Sequence, residues 1–288
     1  MDMYDDIPQV WIDEVKKMQL FLGGESHGRG YGYGLESLEA LNSIYTVNST
    51  WIGAPEAPST DHLRFSRTFR KDSSWIDSCG EEDFWSSTEA ADMMKAHLDY
   101  MKNSAGNPVD VMGFGWCWDM VQGSLVDHWA GTLYYPVDKS GVVTPWDLNT
   151  TTLSMDDYLR VVDDYNSTHA DTATIFTTGP MDAWWDGEQG YSGHLKHEYI
   201  RDYVRNSTER RYLFDYADII AWNDAGEQYL KTWDGHEFQG RHIDHLGNYD
   251  GGYGSGWECH INEVGCLRLG KAMWWLLARI AGWDGQPE

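Results

Sequence analysis

The chain has 288 residues, of which 21 are Lys or Arg and 46 are Asp or Glu, for a formal net charge of −25. That balance is hostile to nucleic acid and to anionic membrane surfaces, both of which are polyanions. No run of eighteen apolar residues occurs, so the sequence predicts no membrane span.

Other global features narrow the class further. Sixteen Trp and seventeen Tyr make the chain unusually aromatic, and such rings serve either the core or stacking platforms for sugars. No linker separates blocks of different composition and no internal repeat is evident, so one domain over residues 1–288 is expected. No signal peptide opens the chain, yet Asn48, Asn149, Asn166 and Asn206 stand in Asn-x-Ser/Thr sequons. Those sequons point to an exported, extracellular or cell-surface glycoprotein. Cys79, Cys117, Cys259 and Cys266 make an even number, which allows two disulfides.

Taken in chain order, Ile7 to Lys17 reads as a short helix and Met18 to Leu22 as the first strand. The turn Gly23-Gly24-Glu25-Ser26-His27-Gly28 follows, then a helix over Leu35 to Ile44. A serine in a glycine-flanked turn between strand and helix is well placed as a nucleophile, because the glycines permit a sharp turn and the helix N-terminus favours negative charge. Tyr45 to Ser78 reads as loop. Glu89 to Lys102 is predicted helical, with Met93, Met94, Leu98 and Met101 on one face, and Val109 to Phe114 a buried strand. Met155 to Asn166 is a helix, Ala173 to Thr177 a strand, Glu198 to Arg210 a helix and Tyr212 to Tyr216 a strand. Gly226 to Gly256 reads as a long loop, and Leu267 to Ile280 as an apolar last helix.

Strands alternating with helices predict a parallel α/β sheet covered on both faces. Ligands of such sheets sit beyond the C-terminal strand ends. Those ends are 23–27, 115–119, 179–182 and 217–218, so the site is expected to assemble from four loops.

Ser26 needs a general base and an oxyanion hole. The base candidate is His260, just before the last helix, and backbone amides near Ser26, at Gly28, and at Gly115 are the oxyanion candidates. His27 reads as a substrate-lining group, a metal ligand or a structural donor. Trp116, Trp118, Asp182, Trp184 and Trp185 are candidates to line a substrate groove, with core packing or a solvated loop as the alternatives. Asp224, Asp234 and Asp244 lie in a Gly-, Asp- and His-rich stretch whose oxygen donors suit calcium and whose imidazoles with carboxylates suit zinc or another transition metal, although its spacing matches neither the twelve-residue calcium loop nor the His-Glu-x-x-His zinc motif. No cofactor is required by this chemistry.

Gly24-Glu25-Ser26 resembles the Gly-Asp-Ser block of the SGNH (GDSL-type) hydrolases, and His260-Ile261-Asn262-x-x-Gly265 resembles their last block, which precedes the final helix. Ile7-Pro8-x-x-Trp11-Ile12, the Gly23-x-x-Ser26-His27-Gly28 turn, Phe214-Asp215-Tyr216-Ala217-Asp218-Ile219 and the closing Gly270 to Trp283 segment are similar to a group of exported SGNH-like proteins. The resemblance implies a flavodoxin-like three-layer α/β/α sandwich with a mostly parallel sheet and long loops. It also implies an esterase or deacylase in which Ser26 attacks and His260 relays the proton, with a small-molecule or acylated-carbohydrate ester as substrate. The family's usual Asp, three residues before the His, is replaced by Trp257, which leaves Asp250, Glu258, Asp218 or a backbone carbonyl to orient His260. The usual Gly-x-Asn-Asp block reads Gly115-Trp116-Cys117-Trp118. These departures leave open two alternatives: a surface or glycan-binding protein on a hydrolase scaffold, and a metal-dependent enzyme using residues 223–260.

Overall fold

The computed structural model describes residues 2–24, 26–71, 73–77, 88–116, 155–181, 186–208, 211–247 and 260–286. Its centre is a six-stranded sheet built from β1 (Gln19–Gly24), β2 (Val47–Thr50), β3 (Leu63–Ser66), β6 (Val111–Gly115), β7 (Ala173–Thr177) and β8 (Tyr212–Phe214), in the order β2-β3-β1-β6-β7-β8. Every pairing in it is parallel. Omitting the outer β2, this is the flavodoxin-like strand order, which reverses direction between β1 and β6. Two hairpins stand outside the sheet: β4 (Thr68–Lys71) with β5 (Ser74–Asp77), and β9 (Leu230–Trp233) with β10 (His236–Gln239).

The helices are α1 (Gln9–Val15), α2 (Arg29–Leu41), α3 (Thr88–Asn103), α4 (Met155–Thr168), α5 (Gly187–Arg205), α6 (Tyr216–Ala221) and α7 (Glu263–Ala281). Side-chain alternation along the strands sorts them into two layers. Leu20, Leu22, Val111 and Ile175 share a core with Ile12 and Val15 of α1, Leu35 and Leu38 of α2, and Leu269, Met273 and Trp274 of α7. Their neighbours Phe21, Met112, Phe114 and Phe176 face the other way, onto Met94 and Leu98 of α3, Leu159 of α4 and Ile200 of α5. Strands buried on both faces read as apolar runs rather than as alternating patterns, and that is how β1 and β6 announce themselves in the sequence.

One contact fixes the upper end of the molecule. Helices α2 and α7 meet backbone to backbone at Gly34 and Gly270. A Cβ on Gly34 would fall 2.0 Å from the Cys266 carbonyl oxygen, and one on Gly270 would fall 2.1 Å from that of Gly34. Glycine inside a helix costs about 1 kcal/mol relative to alanine, and here that cost is offset by the close packing it allows. The two helices start at the same end of the sheet, so the contact brings their leading turns together.

The structure differs from the sequence reading in four stretches, one of them helix α5, which spans Gly187–Arg205 rather than Glu198 to Arg210. Residues 45–78, expected as loop, contain β2, β3 and the β4–β5 hairpin. Its strands are only four residues long, and Arg64 and Arg67 break the apolar run that a strand buried on both faces would show. Helix α2 begins at Arg29 rather than Leu35, because packing on α7 overrides the low propensity of its glycines. The stretch from Gly226 holds β9, β10 and a 3₁₀ turn at Ile243–His245. The disulfides expected from four cysteines are not seen among the described residues: Cys266 is buried in the core against Gly30, with a Cβ on that glycine 3.8 Å from the sulfur. Cys79, Cys117 and Cys259 lie outside the described residues. Among the described residues no helix is long and apolar enough to cross a membrane.

Candidate functional site

Beyond the C-terminal ends of β1 and β6 lies the point where strand order reverses, the usual ligand crevice of such sheets. Gly23 and Gly24 pair in register with Phe114 and Gly115. Gly24 has φ +147°, and a Cβ there would lie 2.5 Å from the Gly115 carbonyl oxygen. The chain then turns through a short 3₁₀ segment, Ser26–Gly28, directly into α2. Gly115 also touches this segment, since a Cβ on it would lie 3.2 Å from Cα of Gly28. Gly24, Gly28 and Gly115 thus bring three backbone segments into contact around the turn that carries Ser26. Backbone N–H groups on such a wall are the type of donor an oxyanion hole uses.

The opposite wall comes from the start of α7. His260 is 3% exposed, and its ring meets that of His27, itself 2% exposed, with centroids 4.8 Å apart in an edge-on arrangement. Residues 233 positions apart in sequence are brought together by the α2–α7 packing just described. Asn262 anchors the His260 segment. Its side-chain oxygen caps α7 by accepting from the Gly265 N–H at 3.0 Å, while its amide donates to the carbonyls of Asp244 at 2.8 Å and Leu246 at 3.0 Å. Arg241, 2% exposed, donates to the His260 carbonyl at 2.5 Å. An N-cap with this added cross-bonding holds both position and direction of the preceding residue.

The ends of β7 and β8 form a second cluster. Asp215 accepts from Arg201 Nε at 2.6 Å and Nη2 at 2.8 Å, and from the Thr178 hydroxyl at 2.8 Å. That hydroxyl accepts in turn from the Ala217 N–H at 2.9 Å. Burial alone would raise the Asp215 carboxyl, but hydrogen bonding and charge from Arg201 hold it below the usual carboxylate range. Glu198 and Gln239 take the remaining Arg201 donors.

The other residues singled out from the sequence distribute as follows. Trp116 is a core ring and not an exposed platform: it is 1% exposed, packs edge-on to Phe114, and donates from its indole to the Thr177 carbonyl at 2.6 Å. The Asp218 carboxylate accepts from Gln239 at 2.6 Å and from the Trp222 indole at 3.2 Å. Asp224, Asp234 and Asp244 have separate surroundings. Asp224 pairs with Arg268, Asp234 sits at the exposed β9–β10 turn with φ +47°, and Asp244 lies 3.5 Å from His242 Nδ1. Among the described residues no three His, Cys, Asp or Glu side chains are grouped to hold a metal ion. Asp250, Trp118, Asp182 and Trp184 lie outside the described residues, as do Cys117, Trp185, Trp257 and Glu258.

Sequence reasoning missed Arg67, which reaches the same turn from the junction of β3 and β4. Its Nη2 donates to the Gly24 carbonyl at 3.2 Å. The available signal was the alternation of Leu63, Phe65, Arg67 and Phe69, which marks an extended segment carrying a cation.

No protein-family model and no curated protein matches the chain. Among solved structures, the chain is similar to a G-D-S-L family protein from Desulfitobacterium hafniense DCB-2, named for a lipolytic role. The TM-score is 0.39 and identity 6%, over 91% of this chain and 99% of that one. It is also similar to the NADH-dependent reductase A1-R′ in complex with NAD, with a TM-score of 0.33 and 12% identity over 76% and 85% of the respective chains. Similarity at this level carries nothing about chemistry, and the α/β class rests on the sheet order itself.

Proposed function

We propose that the chain is an SGNH-type serine hydrolase that cleaves an ester, with Ser26 as nucleophile and His260 as general base. The supporting observation is the 4.8 Å contact of His260 with His27, the residue next to Ser26, at the switch point between β1 and β6. Ser26 attacks the ester carbonyl while His260 accepts its proton. The leaving alcohol takes that proton back, and water then releases the acyl group from Ser26 by the same path in reverse. Backbone N–H groups of Gly28 and Gly115 stabilise the oxyanion, a role glycine suits because no side chain keeps the substrate away. His27 holds the His260 ring from one side.

The substrate is a small-molecule or carbohydrate ester and the protein works outside the cell. The sequons support that location: Asn48 on β2 and Asn206 after α5 are both exposed acceptors.

The test is hydrolysis of short p-nitrophenyl esters by the parent, Ser26→Ala and His260→Ala proteins. Loss of the nucleophile is expected to reduce kcat by about a thousandfold or more. Undiminished activity in Ser26→Ala rules out the assignment.

A further inference from the structure

Three consecutive polar residues, Ser66, Arg67 and Thr68, are 0%, 1% and 1% exposed at the C-terminal end of β3. Two of them are accounted for by local bonds: the Ser66 and Thr68 hydroxyls lie 3.2 Å apart, and Thr68 donates to the Gly53 carbonyl at 2.8 Å. Arg67 is not. Its Nη2 holds the Gly24 carbonyl and its Nε lies 3.0 Å from an Asp77 oxygen, whose side chain is 34% exposed. Its Nη1 is buried and has no hydrogen-bond partner. A guanidinium stays charged, and a buried donor without a partner costs about 1–3 kcal/mol.

Two other buried arginines are committed differently. Arg201, at the β7–β8 end, gives its three nitrogens to Asp215, Glu198 and Gln239. Arg64 uses both terminal nitrogens at the opposite end of β3, on Asn107, Gln19 and the Lys17 carbonyl. Arg67 alone of the three combines an idle terminal nitrogen with a position at the strand ends where ligands bind. It grips the carbonyl two residues ahead of Ser26. In a chain of net charge −25, the general field repels anions, so an anionic substrate group requires a local cation to hold it.

We propose that Arg67 is the anion anchor of this site, and that the ester cleaved at Ser26 carries a carboxylate which Arg67 Nη1 binds. The proposal rests on the hydrolase reading for the reacting ester, but not for the binding of the carboxylate. A charge-assisted hydrogen bond of this kind is worth about tenfold or more in kcat/KM.

The experiment compares mono-p-nitrophenyl succinate with the neutral p-nitrophenyl butyrate in the parent, Arg67→Gln and Arg67→Lys proteins, and follows melting of each protein with added succinate. The expected result is a parent preference of about tenfold or more for the succinate ester. Arg67→Gln brings the ratio near one, and Arg67→Lys recovers part of it. A parent ratio near one overturns the anchor whether or not the variants fold, as does an equal loss on both esters in Arg67→Gln. If no ester is cleaved but succinate raises the melting temperature of the parent and not of Arg67→Gln, the hydrolase reading falls and the anchor stands. If succinate protects neither and no ester is cleaved, both fall.

Discussion

The β1–β6 end of the sheet and the β7–β8 end are held by different physics. At β7–β8 the loops are tied by side chains: Arg201, Asp215 and Thr178 form a hydrogen-bonded network. At β1–β6 the walls are backbone, with Gly24, Gly28 and Gly115 in contact and two imidazoles closing the space. Chemistry is proposed for the β1–β6 end because the Ser26 turn meets the His260 segment there, and a structural role for the β7–β8 end because its charges are paired.

The comparison breaks most severely where α2 meets α7. Gly34→Ala or Gly270→Ala places a methyl within about 2 Å of backbone oxygen. Denaturant unfolding is expected to show a loss beyond about 4 kcal/mol, or no cooperative transition, because backbone cannot yield as a side chain can. Next in size is Arg201→Met, which strands Asp215 partly buried. A stability loss of about 3 kcal/mol is expected, with hydrolysis at Ser26 unaffected in the fraction that remains folded. A thousandfold loss of activity in that folded fraction would instead place the β7–β8 network inside the catalytic machinery.

The sequence shows the middle of the molecule better than its edges. β7 stands where it is expected, Ala173–Thr177, and β1 and β6 are displaced by only one or two residues, since strands buried on both faces need uninterrupted apolar residues. The Ser26 turn and the His260 segment are legible as motifs. Their meeting is not, because it depends on Gly34 and Gly270, which in sequence read as helix-weakening residues. β2 and β3 are short, and their polar content is explained only by partners elsewhere, such as Asn107 for Arg64 and Gly24 for Arg67. The metal expectation rests on acidic spacing alone. Acidic spacing says nothing about the cations that claim each carboxylate, as Arg268 claims Asp224.

Acid sensitivity sharpens the contrast further. Burial lowers His97 to about 3, and burial followed by the Arg201 charge lowers His197 to about 3. His97 accepts from the Arg70 N–H through Nδ1 at 3.1 Å, as a neutral ring must. Both folded values lie below the unfolded value, so stability is complete above about pH 6.5 and falls as pH drops towards 3. Lowering pH from 7 to 4.5 is expected to remove on the order of 2 kcal/mol for each histidine. His97→Gln should flatten that slope in pH-dependent unfolding, and an unchanged slope would show that His97 takes up its proton equally in the folded and unfolded protein.

The smallest stability effect is expected at Asn262. Replacement by Ala removes the α7 cap at a cost of about 1 kcal/mol. It also releases the links to residues 244 and 246 that hold the His260 segment. Melting should move by a few degrees, while kcat falls more than stability does and KM changes little. Proportionate losses would mean that Asn262 serves the helix alone.

The most direct measurement is covalent labelling with a fluorophosphonate, followed by peptide mass spectrometry. A single phosphonyl adduct on Ser26, lost in Ser26→Ala and strongly slowed in His260→Ala, is the expected result. The absence of an adduct, or an adduct that forms equally fast in both variants, would contradict a nucleophilic Ser26 served by His260.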